Sequence, residues 1–400
     1  MEIHGTAAAL GEPARASSRP AMRVLQAACV LGGFAQALTG AAGSLLAYEM
    51  TDSASAAGLP QTVLVAGSAA AAAIASRLAV PLGRRRTLAA GAAAATAGAI
   101  VVVAGALLAS LALVLGGCAL LGAGTAVVML IRYAAAEQVS EASRPKAMAS
   151  VLTATTVGAV AGPNLLAPTS IMAERFGLPG LTGPFLFGAL AFAITMAMLH
   201  LGLRDAPTPE AEAPAVRPGR LPSARPGLAV LALSNLVMVA VMTMAPVQMS
   251  HHGERGLGLI GLVISVHIIG MFAPSALSAG LVQRIGATGT AVLAGCVMAA
   301  ACAFAAATAS HWMLGIAMAA LGIGWNLGLV SGSAMLTAAV PREVRAAREG
   351  LGEVGMGVAA AIGGLACGPL VAHGGYVALA MAGAVAAALI PALAVAGPKP

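Results

Sequence analysis

Apolar residues run along this chain in long blocks separated by short polar, Gly-marked or Pro-marked stretches. Twelve blocks come near or above the length a helix needs to cross a hydrocarbon core, approximately 24–48, 59–80, 87–109, 111–134, 147–172, 183–203, 228–249, 257–282, 287–308, 312–339, 349–371 and 374–396. That length is about 20 residues for a core ~30 Å thick. In lipid every backbone amide must be paired within its own segment, so such blocks predict α-helices. The softest division is the one between the third and fourth blocks.

Composition removes the water-soluble alternative. Apolar residues make up 59% of the chain, charged residues 9%, and the mean hydropathy is +0.92. A soluble domain carries about a quarter of its residues as charges to solvate its surface. The 50 glycines would weaken helices in water, where Gly costs about 1 kcal/mol against Ala. Between helices in lipid they allow close backbone approach. Cys29, Cys118, Cys296, Cys302 and Cys367 all fall within the apolar blocks and read as small packing residues, not disulfides. No cleavable signal is expected, because the first apolar block is too long for a signal core. The pair His251-His252 with Glu254 supplies too few ligands for a metal site, and no cofactor is expected.

The net charge of +7 does not point to nucleic acid; its distribution points to orientation. With the N-terminus taken as cytoplasmic and the sides alternating, all of the 21 basic residues except Arg132, Arg175 and Arg255 fall on the inner side. Arg132 sits near the inner end of the fourth block. This is the positive-inside asymmetry. It predicts a multi-pass inner (cytoplasmic) membrane protein with both termini cytoplasmic, whose partners are the lipid bilayer and a small-molecule substrate, acting as a monomer.

Residues 1–22 read as a cytoplasmic tail, 23–203 as one six-helix bundle, 204–226 as a Pro-rich cytoplasmic linker and 227–396 as a second six-helix bundle. Matching features recur in the two halves. Leu78 to Arg86, with Gly83, Arg84 and Arg85, stands between blocks two and three; Leu281 to Gly286, with Arg284, stands between blocks eight and nine. Gly158, Gly162 and Pro163 in the fifth block correspond to Gly364, Gly368 and Pro369 in the eleventh. Basic residues precede both of those blocks.

On these motifs the chain resembles the major facilitator superfamily over nearly its whole length. The resemblance implies an all-α membrane protein of twelve transmembrane helices in two pseudo-symmetric six-helix bundles. It also implies a secondary transporter in which Gly83, Arg84, Arg85, Arg284 and Gly286 belong to conformational loop motifs. The acid expected in those loops is replaced by Val80 in the first copy and by Gln283 in the second. Arg132, with Glu137 and Glu141, is the candidate substitute at an inner gate. Gly158-Ala-Val-Ala-Gly162-Pro163 resembles the fifth-helix motif of drug:proton antiporters. The arginine of the fourth-helix antiporter pattern is absent, since Cys118 stands before Gly122 and Gly124. The segment from His267 to Ser275, with Trp325 and Asn326, resembles a bacterial subgroup mostly of unassigned substrate and linked to riboflavin uptake.

An ionisable group near the bilayer midplane is expensive and defaults to a functional reading. His267 is the best case, as a proton or substrate site. Trp325 and Asn326 suit a stacking platform with an amide beside it; Gln36 and Asn235 are further mid-depth candidates. Met238, Met242 and Met249 follow helical spacing and read first as packing. The expected activity is alternating-access transport of a small organic solute, with proton-coupled efflux as one form. Uptake of a vitamin-like solute is the alternative. An intramembrane enzyme or a non-transporting sensor is the competing class. No Walker-type phosphate loop or His-Glu-x-x-His pattern appears, so no enzymatic activity is expected.

Overall fold

The computed structural model describes residues 18–139, 144–203, 223–250, 256–308, 310–338 and 342–396. They form helices α1 (Ser18–Thr51), α2 (Ala54–Ala57), α3 (Leu59–Leu107), α4 (Leu111–Glu137), α5 (Arg144–Asn164), α6 (Leu166–Arg175), α7 (Gly183–Gly202), α8 (Arg225–Ser250), α9 (Gly256–Phe272), α10 (Ser275–Ala307), α11 (His311–Thr337) and α12 (Arg342–Val395). The expected linker lies outside the described residues up to 222, as do Glu141 and the side chains of Tyr133 and Glu137.

Among the described residues, nine helical stretches are long and apolar enough to cross a membrane. The twelve expected crossings are reached because helices fold back or break. Gly67 lies against the Ala119 backbone, while Gly98 lies against Gly117. Residues 67 and 98 therefore share one depth, so α3 doubles back between them. The reversal sits at Gly83 (φ 78°, ψ 157°), a left-handed backbone that favours glycine. In the same way Gly322 packs on Met271 and Gly324 on Met298, with the reversal at Gly286 (φ 78°, ψ 165°). Gly363 and Gly383 both meet α8, at Ala240 and Val241, with the reversal at Gly375 (φ 68°). The near-identical angles at Gly83 and Gly286 put one turn at equivalent places in the two halves. The soft third division is held by Ser110, whose hydroxyl accepts from the Leu113 amide and caps α4.

Two crossings are broken by proline. The fifth is α5 followed by α6, interrupted after Pro163; the eighth is α9 running into α10, interrupted at Pro274. Proline removes an amide donor and stops the helix. In lipid the freed carbonyls need another donor. Asn326 of α11 supplies one, donating to the Met271 carbonyl at 2.7 Å.

Helices α1 and α3–α7 pack on one another, as do α8–α12. One end of the molecule carries the start of α1, the end of α7, the start of α8 and the end of α12; it is called here the termini end, and its opposite the far end. A continuous apolar core spans both bundles, running from Leu38, Leu45 and Phe185 to Met244, Ile260 and Met298. The termini end of the first bundle has a separate core of Leu25, Leu88, Ile131 and Leu199. At that end Arg85 donates to the His200 carbonyl at 3.3 Å, tying the turn at Gly83 to the end of α7.

No side chain or backbone lies within 4 Å of a Cβ built at Gly286, so replacing this residue tests backbone strain alone. We expect Gly286→Ala to cost about 1–3 kcal/mol, read as a lowered thermal unfolding midpoint in detergent, and Gly286→Asn to cost about as much, because at ψ 165° the backbone lies in a region that is essentially restricted to glycine and not in the left-handed helical region that Asn tolerates.

Candidate functional site: a cavity between the two bundles

Four helices from both bundles line a cavity of about 220 Å³. Gly40 and Ser44 of α1 and Gln61 of α3 face Met238, Met242 and Thr243 of α8 and His267 and Met271 of α9. The small residues of α1 leave the space, and the methionines give an adaptable, polarizable wall.

His267 is 1% exposed. Its Nδ1 lies 2.7 Å from the Met318 carbonyl oxygen. A carbonyl only accepts, so Nδ1 carries the hydrogen and the neutral ring presents an acceptor at Nε2. Nε2 is buried without a protein partner among the described residues. A buried unpaired acceptor costs about 1–3 kcal/mol.

The other sequence candidates divide. Trp325 and Asn235 are joined, the indole Nε1 donating to the Asn235 carbonyl oxygen at 3.0 Å, while Asn235 donates to the Met356 carbonyl at 2.8 Å. Phe272 meets the Trp325 ring edge-on, with centroids 6.2 Å apart. Asn326 is saturated: besides Met271 it donates to Ser275 Oγ at 2.9 Å and accepts from Ser278 at 2.5 Å. Trp325 and Asn235 brace α8, α11 and α12, Asn326 ties α11 to α9 and α10, and all three stand outside the cavity lining. Gln36 neighbours the cavity residue Ala37, and its amide oxygen is buried without a partner among the described residues. Met238 and Met242, read from the sequence as packing, line the cavity. Ser44, Gln61 and Thr243 were not singled out, because isolated hydroxyls and amides in Ala-rich helices form no pattern.

The bundles meet differently at the two ends. In the far half they touch through glycine. Gly261 of α9 sits on the Pro163 carbonyl, Gly58 on Gly364, and Gly368 on Ala54 and Ser55. Across the first of these seams Asn164 donates to Ser265 Oγ at 2.7 Å, and Ser265 donates to the Val160 carbonyl at 2.9 Å. Gly158 and Gly162 have a different task, pressing α5 onto Val30 and Phe34 of α1 within one bundle. Toward the termini end, Arg132 of α4 pairs with Glu353 of α12 at 3.6 Å, with side chains 19% and 54% exposed. Arg84 lies beside the Gly83 turn, and Arg284 is exposed beside Gly286.

Comparison with known proteins places this arrangement. The family model of the Major Facilitator Superfamily matches residues 26–308. YddS of Bacillus subtilis (strain 168), an uncharacterised transporter of this type, is 35% identical over 387 residues, covering 92% of this chain and 88% of its own. The riboflavin transporter RfnT of Brucella anthropi is 27% identical over 324 residues, covering 78% of this chain and 79% of its own. A crystal structure of a bacterial homologue of the human lysosomal transporter Spinster superposes with a TM-score of 0.70 at 15% identity, covering 94% of this chain and 95% of that one. This chain belongs to the Major Facilitator Superfamily, as a multi-pass membrane protein with that family's fold.

The Trp325–Asn235 bond yields a stability test independent of transport. Asn235→Ala leaves a buried indole N–H unpaired and should cost about 1–3 kcal/mol in thermal unfolding. Adding Trp325→Phe removes the orphaned donor, and part of that loss should return.

Proposed function

We propose that this member of the superfamily is a secondary active transporter that moves a small organic solute across the cytoplasmic membrane by alternating access. It acts as a monomer, with both termini cytoplasmic, and its work is transport, not catalysis. The observation that supports the proposal is the cavity between the two bundles, with the buried His267 in its wall. A volume of about 220 Å³ is below the ~300–1,000 Å³ of drug-sized sites, which favours a compact solute.

With the termini end facing the cytoplasm, the far-end seams are the extracellular seal. Gly261, Gly364 and Gly368 let backbones meet there, and the Asn164–Ser265 bonds fasten one seam. Arg132–Glu353 is the counterpart on the cytoplasmic side, a charge pair reaching between bundles where the loop motifs lack their acid. Glu137 and Glu141, the other sequence candidates, lie outside the described side chains. Gly83 and Gly286 act as the rigid turns about which the paired crossings move together.

Two directions follow from different observations. The Gly158–Gly162–Pro163 motif favours proton-coupled efflux, with His267 carrying the proton. The alternative is uptake of a vitamin-like solute; the likeness to the riboflavin transporter RfnT favours riboflavin as that solute, for which the cavity would have to widen. A proteoliposome flux assay with riboflavin and a panel of compact organic solutes, with and without a pH gradient, separates them. Gradient-driven flux abolished in His267→Ala supports proton coupling at this residue; gradient-driven flux unchanged in that variant removes it. If no solute moves under any gradient, the transport reading fails.

The gate has its own test. Arg132→Glu places two acids together and should slow flux several-fold, whereas Arg132→Glu with Glu353→Arg restores the pair and should recover most of it. Equal loss in the single and double variants would mean that the pair does not act as a gate.

A further inference from the structure

A second cavity, of about 450 Å³, lies at the far end between α1, α8 and α12. It sits one helical turn beyond the central cavity: α1 contributes Ser44 to the inner space and Tyr48 to the outer one, and α8 contributes Thr243 and then Val247. Its walls concentrate scarce chemistry. The whole chain has three tyrosines, and two of them, Tyr48 and Tyr376, line this space. Asp52 and Gln248 stand beside them, with Met244 and Val371 as apolar wall.

Asp52 is held in position. Its amide donates to the Tyr48 carbonyl at 2.8 Å, its carboxylate lies near the Tyr48 hydroxyl, and its backbone is left-handed (φ 49°). Asp is one of the few side-chain-bearing residues that adopt this region readily. The carboxylate is thereby fixed at the end of α1 beside the cavity. Among the described residues Asp52 is also the one charged residue in the lining. Among the described residues this end carries Glu49 and Glu174 as well, against Arg175. A cleft lined by one sign of charge concentrates the opposite one.

A carboxylate next to phenol rings on an apolar wall is the chemistry that holds an organic ammonium. The carboxylate supplies the charge, the ring faces supply cation–π attraction, and methionine and valine take the apolar body. We propose that this outer cavity is a binding site for organic ammonium solutes, a vestibule through which the transported solute passes on the outer side of the seal. Its role in passage rests on the transport reading above; the binding itself does not.

The test is a titration of the full-length protein in lipid nanodiscs with benzyltrimethylammonium chloride, followed by isothermal calorimetry. Sodium benzoate and benzyl alcohol serve as anionic and neutral partners of matching ring. The expected result is saturable binding of the ammonium, weaker binding of the alcohol and none of benzoate. Asp52→Asn and Tyr48→Leu should each weaken the ammonium by about three- to fivefold, as for a solvent-accessible charge pair and an exposed cation–π contact. Both positions are at the accessible end of α1, so folding of the variants is expected and is checked by their thermal midpoint. Absence of saturable ammonium binding, equal binding of benzoate, or affinity unchanged by both variants would overturn the site. So would affinity lost in Met242→Phe, which fills the central cavity, but retained in Asp52→Asn. The titration needs no gradient and no flux. Failure to move solute in proteoliposomes would therefore count against transport and leave this site standing, whereas failure to bind would remove the site and leave transport standing.

Discussion

The constraint on which everything else depends is that lipid offers no hydrogen bonds to a backbone. It makes each crossing a helix, and it makes each departure from a helix something the protein must compensate. The departures are few and placed. Gly83, Gly286 and Gly375 turn the chain at the ends of crossings, whereas Pro163 and Pro274 break crossings within the bundle. At Pro274 the compensation is visible in Asn326, whose amide satisfies the Met271 carbonyl. A polar residue at mid-depth thus serves the backbone first, which is why depth alone is a poor guide to a substrate contact.

The same solvent explains how the bundles are joined. Without a hydrophobic drive between helices in lipid, association relies on close packing and on polar pairs. The far-end seams use both, with glycine against backbone at Gly261, Gly58 and Gly368 and a short hydrogen-bonded network at Asn164 and Ser265. At the termini end the cores divide, and a partly exposed ion pair spans the bundles. The described structure thus holds a tight glycine seam with a polar clasp at one end and a partly exposed charge pair at the other, two contacts of different strength and solvation. The central cavity lies between them.

Much of the fold was legible in the sequence, because crossing length is a one-dimensional quantity. The blocks around Gly83, Gly286 and Gly375 were separated correctly even though the helical backbone runs almost unbroken through them. The repeat of Gly83 at Gly286 proved to be a repeat of backbone angles. The site was less legible. Successive residues on a helix point about 100° apart, so His267 and Asn326, both read as mid-depth candidates, part company on azimuth: one is in the cavity wall and the other is locked to a neighbouring helix. Met242 carried a readable stripe but no sign of which side was hollow. Tyr48 and Asp52 carried none, because they meet Gln248 and Tyr376 only once α1, α8 and α12 converge.

The central claim is that the two ends open and close in opposition. It is tested most directly by double electron–electron resonance on the protein in nanodiscs, with one spin-label pair at Leu201 and Leu351 and a second at Ser53 and Ala372. The first pair spans the bundles at the termini end, the second at the far end. The account predicts that a change of pH or added solute lengthens one distance as it shortens the other, and that Arg132→Glu lengthens the Leu201–Leu351 distance. Two distances that stay fixed under every condition, or that lengthen together, would contradict it.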